Sequence, residues 1–423
     1  MNTIDELKWR GLFKDTTNLK ELEHAISNKA SFYLGIDPTA ESIHIGHLLT
    51  INLSRILVKN GMKAYLLIGG ATASIGDPSG KSKERKMLSS SELVKNINSI
   101  TNQLESLIGN FNDLNETNTF LLNNWKWYMN MDLIKFLRDY GKHINVSKMI
   151  SKDNVKNRLE SGISYTEFSY MMLQAYDWLN LYKEYNVKVQ IGGSDQWGNI
   201  VTGTELIRKS LKKEDIAGLT IPLLVDSKGK KIGKTYEGEV VWMNENFTSS
   251  YKLYQYLFNL KDDIVFDLLK KITNISLIDF KTLEKKHMSN PKERIAQLDL
   301  SKRIFEITKP KIKLDSIINI SNILFSEKYV KLTKKELQTA FSEIPSLKIN
   351  KRDIKLSILE LIEKYKLLNS RREIRELINS STVKINNKII KSEMEVISIN
   401  DLLHSNFVFI RLSKKKRYLI KFI

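Results

Sequence analysis

Between residues 31 and 80 the chain changes its hydrophobic period twice, and this stretch narrows the possible folds more than any other. "SFYLGIDPTA" (31–40) is a short apolar run ending in a Gly/Pro turn. "HIGHLLTINLSRILVKNG" (44–61) carries apolar residues at helical spacing and stops at Gly61, where a left-handed cap fits. "KAYLLIGGATASIGDPSGK" (63–81) is a buried-strand run that breaks into a glycine-rich loop. Strand, helix and strand in about fifty residues open a parallel α/β sheet, because parallel strands need a crossover helix. "YNVKVQIGGSDQWGN" (185–199) again runs a strand into a glycine loop. Open parallel sheets bind ligands beyond the carboxyl ends of their strands, so both loops are expected to face one crevice.

With 423 residues the chain is too long for one ordinary core. From about Asn244 to Phe341 the pattern turns helical, rich in Leu, Ile, Lys and Glu. Beyond Leu347, "LSILELIEKYKLLNSRREIRELINSSTVKINNKII" (356–390) reads as two helices and a short hairpin, followed by a basic segment. Boundaries are therefore expected near 245 and 345. The net charge is +19, and from Ser346 onward 18 Lys/Arg face 8 Asp/Glu. More than half of the excess lies in the last fifth of the chain, which points to a polyanionic partner beyond a general lysine bias. The absence of cysteine excludes disulfides, thiolate catalysis and cysteine-ligated zinc. No apolar run reaches the length of a signal peptide or a membrane span, so a soluble, cytoplasmic protein is expected.

Four clusters carry chemistry. His44 and His47 are two of only six histidines and sit three apart where a helix is expected to begin, on one face of its first turn. A helix N-terminus suits phosphate, and Gly46 between them lets a ligand approach the backbone. Zinc is disfavoured, since H-x-x-H lacks the i,i+4 spacing and the glutamate of zinc-protease helices. "GDPSGKS" (76–82) imitates a P-loop but has three residues between its glycines where that motif needs four, so a P-loop NTPase is rejected. Lys81 and Arg85 are still good phosphate neighbours. In "YTEFSYMMLQAYDWLNLY" (165–182) nearly every position is apolar, so all-round burial is expected, yet Tyr170, Gln174 and Asp177 recur at i, i+4 and i+7. Such a buried polar stripe needs partners, supplied either by the protein or by a polar small molecule. "KGKKIGKT" (228–235) places Lys231 and Lys234 around a glycine; it is either a solvated turn or a loop delivering lysines to a departing polyphosphate.

Taken together, "HIGH" and the later K-x-G-K-T segment resemble the signature pair of class I aminoacyl-tRNA synthetases. "YLGIDPTAESIHIGHL", "GGATASIGDPSGK", "GISYTEFSYMMLQAYDWL" and "IGGSDQWGNI" resemble bacterial-type tyrosyl-tRNA synthetases specifically. The resemblance covers essentially the whole chain. It implies an α/β Rossmann-type catalytic domain (1–244) binding ATP and tyrosine, a helical anticodon domain (245–345) and a small α+β RNA-binding domain (346–423) similar to a module of a ribosomal small-subunit protein. The implied reaction joins tyrosine to AMP, releasing pyrophosphate, then passes the tyrosyl group to tRNA-Tyr. Magnesium would accompany ATP, and family members are homodimers.

By this resemblance Thr39 and His44 would hold the departing phosphates, with Lys231, Lys234 and Thr235 closing over them and Lys81 and Arg85 assisting. Asp37, Gly46, His47, Gly192, Asp195 and Lys234 would lie at the nucleotide. Tyr33 and Asp177 would bond the substrate phenol; Asp77, Tyr170 and Gln174 its ammonium; Gln196 its carboxylate side. Rejection of phenylalanine by about 10⁵ without editing is a known figure for tyrosine-charging enzymes themselves, not one worked from these residues. Leu34 departs from a form of the enzyme that has a ribose-contacting cysteine there. Arg372, Arg375, Arg411, Lys414 and Lys415 would contact tRNA phosphates. The tryptophan-charging sister enzyme ranks lower because Asp177 suits a phenol. A catalytically idle synthetase-derived RNA-binding protein is the alternative from a different class.

Overall fold

Six strands, β1 (Asp15–Thr16), β2 (Ser31–Ile36), β3 (Lys63–Ile68), β4 (Thr119–Asn123), β5 (Val187–Gly193) and β6 (Ala217–Ile221), form one sheet in a computed structural model of the chain. The structure describes residues 1–79, 87–110, 118–152, 155–156, 162–225, 232–233, 238–325, 333–334, 337, 346–368, 370–413 and 416–423. The strand order is β1-β6-β5-β2-β3-β4, parallel except for the β1–β6 pair. From β2 the chain winds outward through β3 and β4, and β5 and β6 occupy the other side of β2. The winding therefore reverses between β2 and β5, and the crevice beyond their carboxyl ends is the place such sheets use for ligands. The strands are nearly continuous apolar runs because helices cover the sheet.

The helix Tyr165–Tyr185 starts where the Ser164 hydroxyl accepts the Glu167 N–H (3.2 Å) and stops at Asn186, which takes the left-handed conformation with φ 53°. It packs on β5 and on the helix Trp197–Leu211. Gly203 permits that approach, since a Cβ there would lie 2.7 Å from Cε3 of the fully buried Trp178. The expected all-round burial of this helix is corrected at its N-terminal end, where Tyr165 is 75% exposed; apolar composition alone does not say which turns reach the core.

The helix expected to begin at His44 begins at His47 and runs to Lys59. His44 instead forms a β-bridge with Trp242, so its backbone is committed to pairing with a segment almost 200 residues away. Gly61 lies just beyond the helix with φ 92°.

Helices fill the region after Asn244, at Ser250–Phe258, Asp262–Ile272, Leu277–Ser289, Ile295–Thr308 and Leu314–Phe325. By contacts the chain divides into two compact units, residues 1–248 with 256–311 and residues 249–255 with 312–423. In the first, buried Arg10 donates to the carbonyls of Lys270 (3.0 Å), Thr273 (3.1 Å) and Ile275 (2.9 Å). Asn52 donates to Lys271 O and Thr273 O. These bonds take up carbonyls at the end of Asp262–Ile272 that the helix itself cannot satisfy.

The second unit is a five-stranded sheet of order β7-β11-β10-β8-β9, where β7 is Ser346–Ile349, β8 Lys384–Ile385, β9 Lys388–Ile389, β10 Phe407–Arg411 and β11 Arg417–Phe422. The two expected helices are present as Ile358–Lys364 and Arg371–Asn379, and β8–β9 is the expected hairpin. Ile358, Leu361, Ile374, Ile378, Val408, Ile410 and Ile420 meet in its core. Among the described residues no helix is long and apolar enough to cross a membrane.

Candidate active site

At the carboxyl ends of β2 and β3, beside the helix Tyr165–Tyr185, polar side chains gather in an otherwise apolar interior. Asp177 is 3% exposed and accepts hydrogen bonds from Asn124 Nδ2 (3.1 Å) and Trp127 Nε1 (2.9 Å). Burial pushes its pKa up to about 7, against the pull of Trp127, Asn124 and Tyr128, with Asp37 adding a like charge. Tyr33, on β2, is buried with its hydroxyl unpartnered, and its ring centroid lies 6.2 Å from that of Trp178. Burial, with the Asp177 charge second, raises the Tyr33 phenol well above 10, so it stays protonated. A buried hydroxyl without a partner beside a buried carboxylate is costly unless another polar group completes the set.

The other members of the stripe face two hydrogen-bonded groups. Tyr170 donates its hydroxyl to Asp37 Oδ2 (2.7 Å), and Thr72 donates to Asp37 Oδ1 (2.8 Å). Gln174 Oε1 accepts from Asn199 Nδ2 (3.0 Å). Asp77 accepts from Gln196 Nε2 (2.7 Å) and from the Ser79 N–H (2.9 Å). The Asp77–Gln196 bond joins the glycine loop after β3 to the loop after β5, so the two loops do face one crevice. Gly69 makes room for this arrangement, since a Cβ there would stand 1.9 Å from Asp37 Oδ1. Gly192 and Asp195 stand at the same edge, where a Gly192 Cβ would lie 3.1 Å from Gln196 Cβ.

His44 and His47 stack with ring centroids 3.9 Å apart and planes at 24°. The His47 Nδ1 accepts the His44 N–H (3.0 Å), and the His44 Nδ1 accepts the Gly46 N–H (3.1 Å). Each ring therefore carries its proton on Nε2, the tautomer set by the bond at the other nitrogen. Burial, then the neighbouring His44, holds His47 well below 6.5, so it is a neutral donor near pH 7. Thr39 is exposed, and its N–H donates to Asp37 O (2.8 Å). The segment is held from behind by 241–244: Ile45 N–H donates to Val241 O (3.2 Å), Met243 N–H to Ile43 O (2.9 Å) and Asn244 N–H to the Ser42 hydroxyl (3.1 Å). Gly233 lies against Ile45, which brings the glycine of the second signature to the first.

Lys81, Arg85, Lys231, Lys234, Thr235, Lys414 and Lys415 lie outside the described residues. In the second unit Arg372 pairs with Glu376 (2.9 Å) and Arg375 with Glu393 (2.6 Å), both on the surface. Arg411 stands opposite Arg417 and Lys384 across neighbouring strands, a row of three cations.

Residue patterns missed Asn124, Trp127, Thr72, Asn199 and Gln190. Asn199 is buried and donates toward Gln174, Gln196, Asp77 and Ser79, the hub of its group. Gln190 is the register partner of Tyr33 and has a buried, unpartnered Oε1. A polar residue inside the apolar run "VKVQIGG" was a signal for it. Asn124 and Trp127 gave none, since nothing local marks a partner fifty residues away.

The family described as tRNA synthetases class I (W and Y) matches residues 26–324, and the tyrosine--tRNA ligase SYY-like C-terminal domain matches 336–420. The chain is 38% identical over 420 residues to the tyrosine--tRNA ligase of Ureaplasma urealyticum, covering 99% of this chain and 98% of that one. To tyrosine--tRNA ligase 1 of Bacillus licheniformis it is 40% identical over 421 residues, covering 99% of each. A C-terminally truncated mitochondrial tyrosyl-tRNA synthetase of Aspergillus nidulans superposes with a TM-score of 0.69 at 30% identity, over 76% of this chain and 94% of that one.

Proposed function

Because the chain belongs to the bacterial-type tyrosine--tRNA ligases of the class I synthetases, we propose a division of labour among its residues for the reaction of that family. The enzyme activates L-tyrosine with ATP and transfers the tyrosyl group to tRNA-Tyr. In the first step a tyrosine carboxylate oxygen bonds the α-phosphorus of ATP and the bond to pyrophosphate breaks. In the second, a ribose hydroxyl at the tRNA 3′ end attacks the tyrosyl carbonyl and AMP leaves. Neither step needs a side-chain nucleophile, so the protein contributes by orienting the reactants and stabilising the transition-state charge.

In this reading Asp177 and Tyr33 take the substrate's phenolic hydroxyl. Supporting it above all is the pairing of an unpartnered buried Tyr33 hydroxyl with a carboxylate pushed up to about 7 by burial. A phenol bound there would give Tyr33 its missing partner and Asp177 a further donor, whereas phenylalanine would leave the Tyr33 hydroxyl unmet. Asp77, Tyr170 and Gln174 receive the ammonium and Gln196 the carboxylate side. His44 and His47, through their Nε2–H groups, and Thr39 bond phosphate oxygens; Lys231, Lys234, Lys81 and Arg85 bring the positive charge and Thr235 a hydroxyl. Asp37, Gly46, Gly192, Asp195 and Lys234 line the nucleotide.

Magnesium accompanies ATP as part of the substrate. The triphosphate oxygens would carry it. The assignment of 1–244 to catalysis, 245–345 to the anticodon and 346–423 to tRNA phosphates is part of the same proposal, with Arg372, Arg375, Arg411, Lys414 and Lys415 as contacts. A homodimer is supported by exposed apolar side chains on and beside the short helix Leu133–Asp139, namely Met129, Leu133, Ile134 and Leu137. We place the enzyme in the cytoplasm, where its tRNA is.

The test is exchange of labelled pyrophosphate into ATP by the full chain without tRNA, with tyrosine, phenylalanine or tryptophan present. Exchange with tyrosine alone is expected. No exchange, with tRNA binding intact, would move the protein to the idle RNA-binding reading.

A further inference from the structure

We propose that Tyr256 is a positioning residue for adenylation: its phenolic oxygen holds the Gly233 backbone and thereby sets this glycine of the second signature against Ile45 of the first. The Gly233 N–H donates to Tyr256 Oη at 3.2 Å. Gly233 has φ 115°, a region that other L residues rarely adopt. A Cβ on it would lie 3.0 Å from Cγ2 of Ile45, the residue between His44 and Gly46. Its carbonyl accepts the Val241 N–H (2.8 Å), and the Val241 carbonyl in turn accepts the Ile45 N–H (3.2 Å). Ile232 N–H donates to Leu224 O (2.8 Å).

Of these four bonds, three join backbone to backbone and are open to any sequence. The fourth requires a hydroxyl-bearing side chain at 256. A phenylalanine would fill the same space, so the oxygen is the part of Tyr256 that packing does not explain. Burial raises this phenol above 10, which keeps it neutral while its oxygen accepts the Gly233 N–H.

The inference rests on the reading that Lys231, Lys234 and Thr235 act on the phosphates of ATP. Gly233 directly precedes Lys234 in the sequence, so a looser Gly233 backbone would weaken the action on ATP that this reading gives the segment. Tyr256 itself touches no substrate in this proposal, and its effect should fall on ATP and spare tyrosine.

Two measurements on the full-length Tyr256→Phe variant separate the bond from its use. Hydrogen exchange at the Gly233 amide, read at single-residue resolution without substrates, should quicken about fivefold, the worth of one ordinary hydrogen bond. Tyrosine-dependent pyrophosphate exchange should lose about fivefold in kcat/KM for ATP, with KM for tyrosine and the melting temperature unchanged. Unchanged exchange at Gly233 would overturn the proposal at its geometric root. Equal losses for ATP and tyrosine alongside a lower melting temperature would overturn it in favour of a plain structural role. Faster Gly233 exchange in a protein whose wild-type form shows no tyrosine-dependent activity would leave the bond standing, remove its catalytic meaning and condemn the adenylation reading instead.

Discussion

Replacing Asp177 with asparagine should stabilise the ligand-free protein at alkaline pH and destabilise it at acid pH. The carboxyl is raised from 3.8 to about 7, a little over three units. At about 1.4 kcal/mol per unit, the ionised form costs the fold about 4 kcal/mol. The sign follows from proton uptake. A carboxyl whose folded pKa exceeds its unfolded value holds more protons folded than unfolded between those two values. Its contribution is therefore most favourable below 3.8, falls as the pH rises toward about 7, and is least favourable above that. Asparagine carries no charge at any pH and so escapes the cost at pH 8. It has one acceptor oxygen where aspartate offers two, so either Trp127 or Asn124 loses its acceptor, at about 1–3 kcal/mol. The balance is a gain of about 1–3 kcal/mol at pH 8 and a loss of about 1–3 kcal/mol below pH 3.8, where both states of the aspartate are protonated. Urea unfolding followed by tryptophan fluorescence at the two pH values measures it, with Trp127 and Trp178 near the change. Equal destabilisation at both pH values would refute the reasoning, because it would mean that the aspartate is not held charged at a cost. The same substitution should reduce tyrosine activation about 10- to 100-fold, since a bond to a charged group is lost from the phenol.

Other substitutions probe other parts of the chain. Gly46→Ala would put a Cβ 2.9 Å from His44 Cε1, displacing the ring; pyrophosphate exchange should fall about 10²-fold, with KM for tyrosine little changed. Arg10→Met leaves the Lys270 and Ile275 carbonyls without their side-chain donor and Thr273 O with Asn52 alone, and denaturant titration of the first unit should show a loss of about 3–5 kcal/mol. Converting Arg372 and Arg375 together to glutamine should weaken tRNA binding and lower the slope of log K against log salt by about 2, as filter binding across a salt series would show. An unchanged slope would remove these two from the phosphate contacts.

What the sequence determined by itself was whatever rests on neighbours within a turn or a strand. The β2 run, the helix up to Lys59 and β3 are legible because hydrophobic period and turn residues act over a few positions, whereas Gly70–Ile75, expected as part of a glycine loop, forms a short helix. The Tyr170–Gln174–Asp177 stripe was visible for the same reason, and so were the helices after Asn244 and the pair in the second unit. Even there, local pattern misled where a distant partner intervened. His44 looked helical, yet pairing with Trp242 holds it in an extended bridge, since the backbone bonds offered by 241–244 satisfy it without a helical turn. Tertiary structure alone decided which polar groups met. Tyr170 bonds Asp37, Asp177 draws on Asn124 and Trp127, and Gln196 reaches Asp77, across gaps of 50 to 133 residues. These groups meet because β2, β3 and β5 lie side by side and parallel, so their trailing loops gather at one edge. The physical reason is that burial raises the cost of an unpaired polar group far above its cost in water, so the fold's topology, and not any local preference, selects the partners.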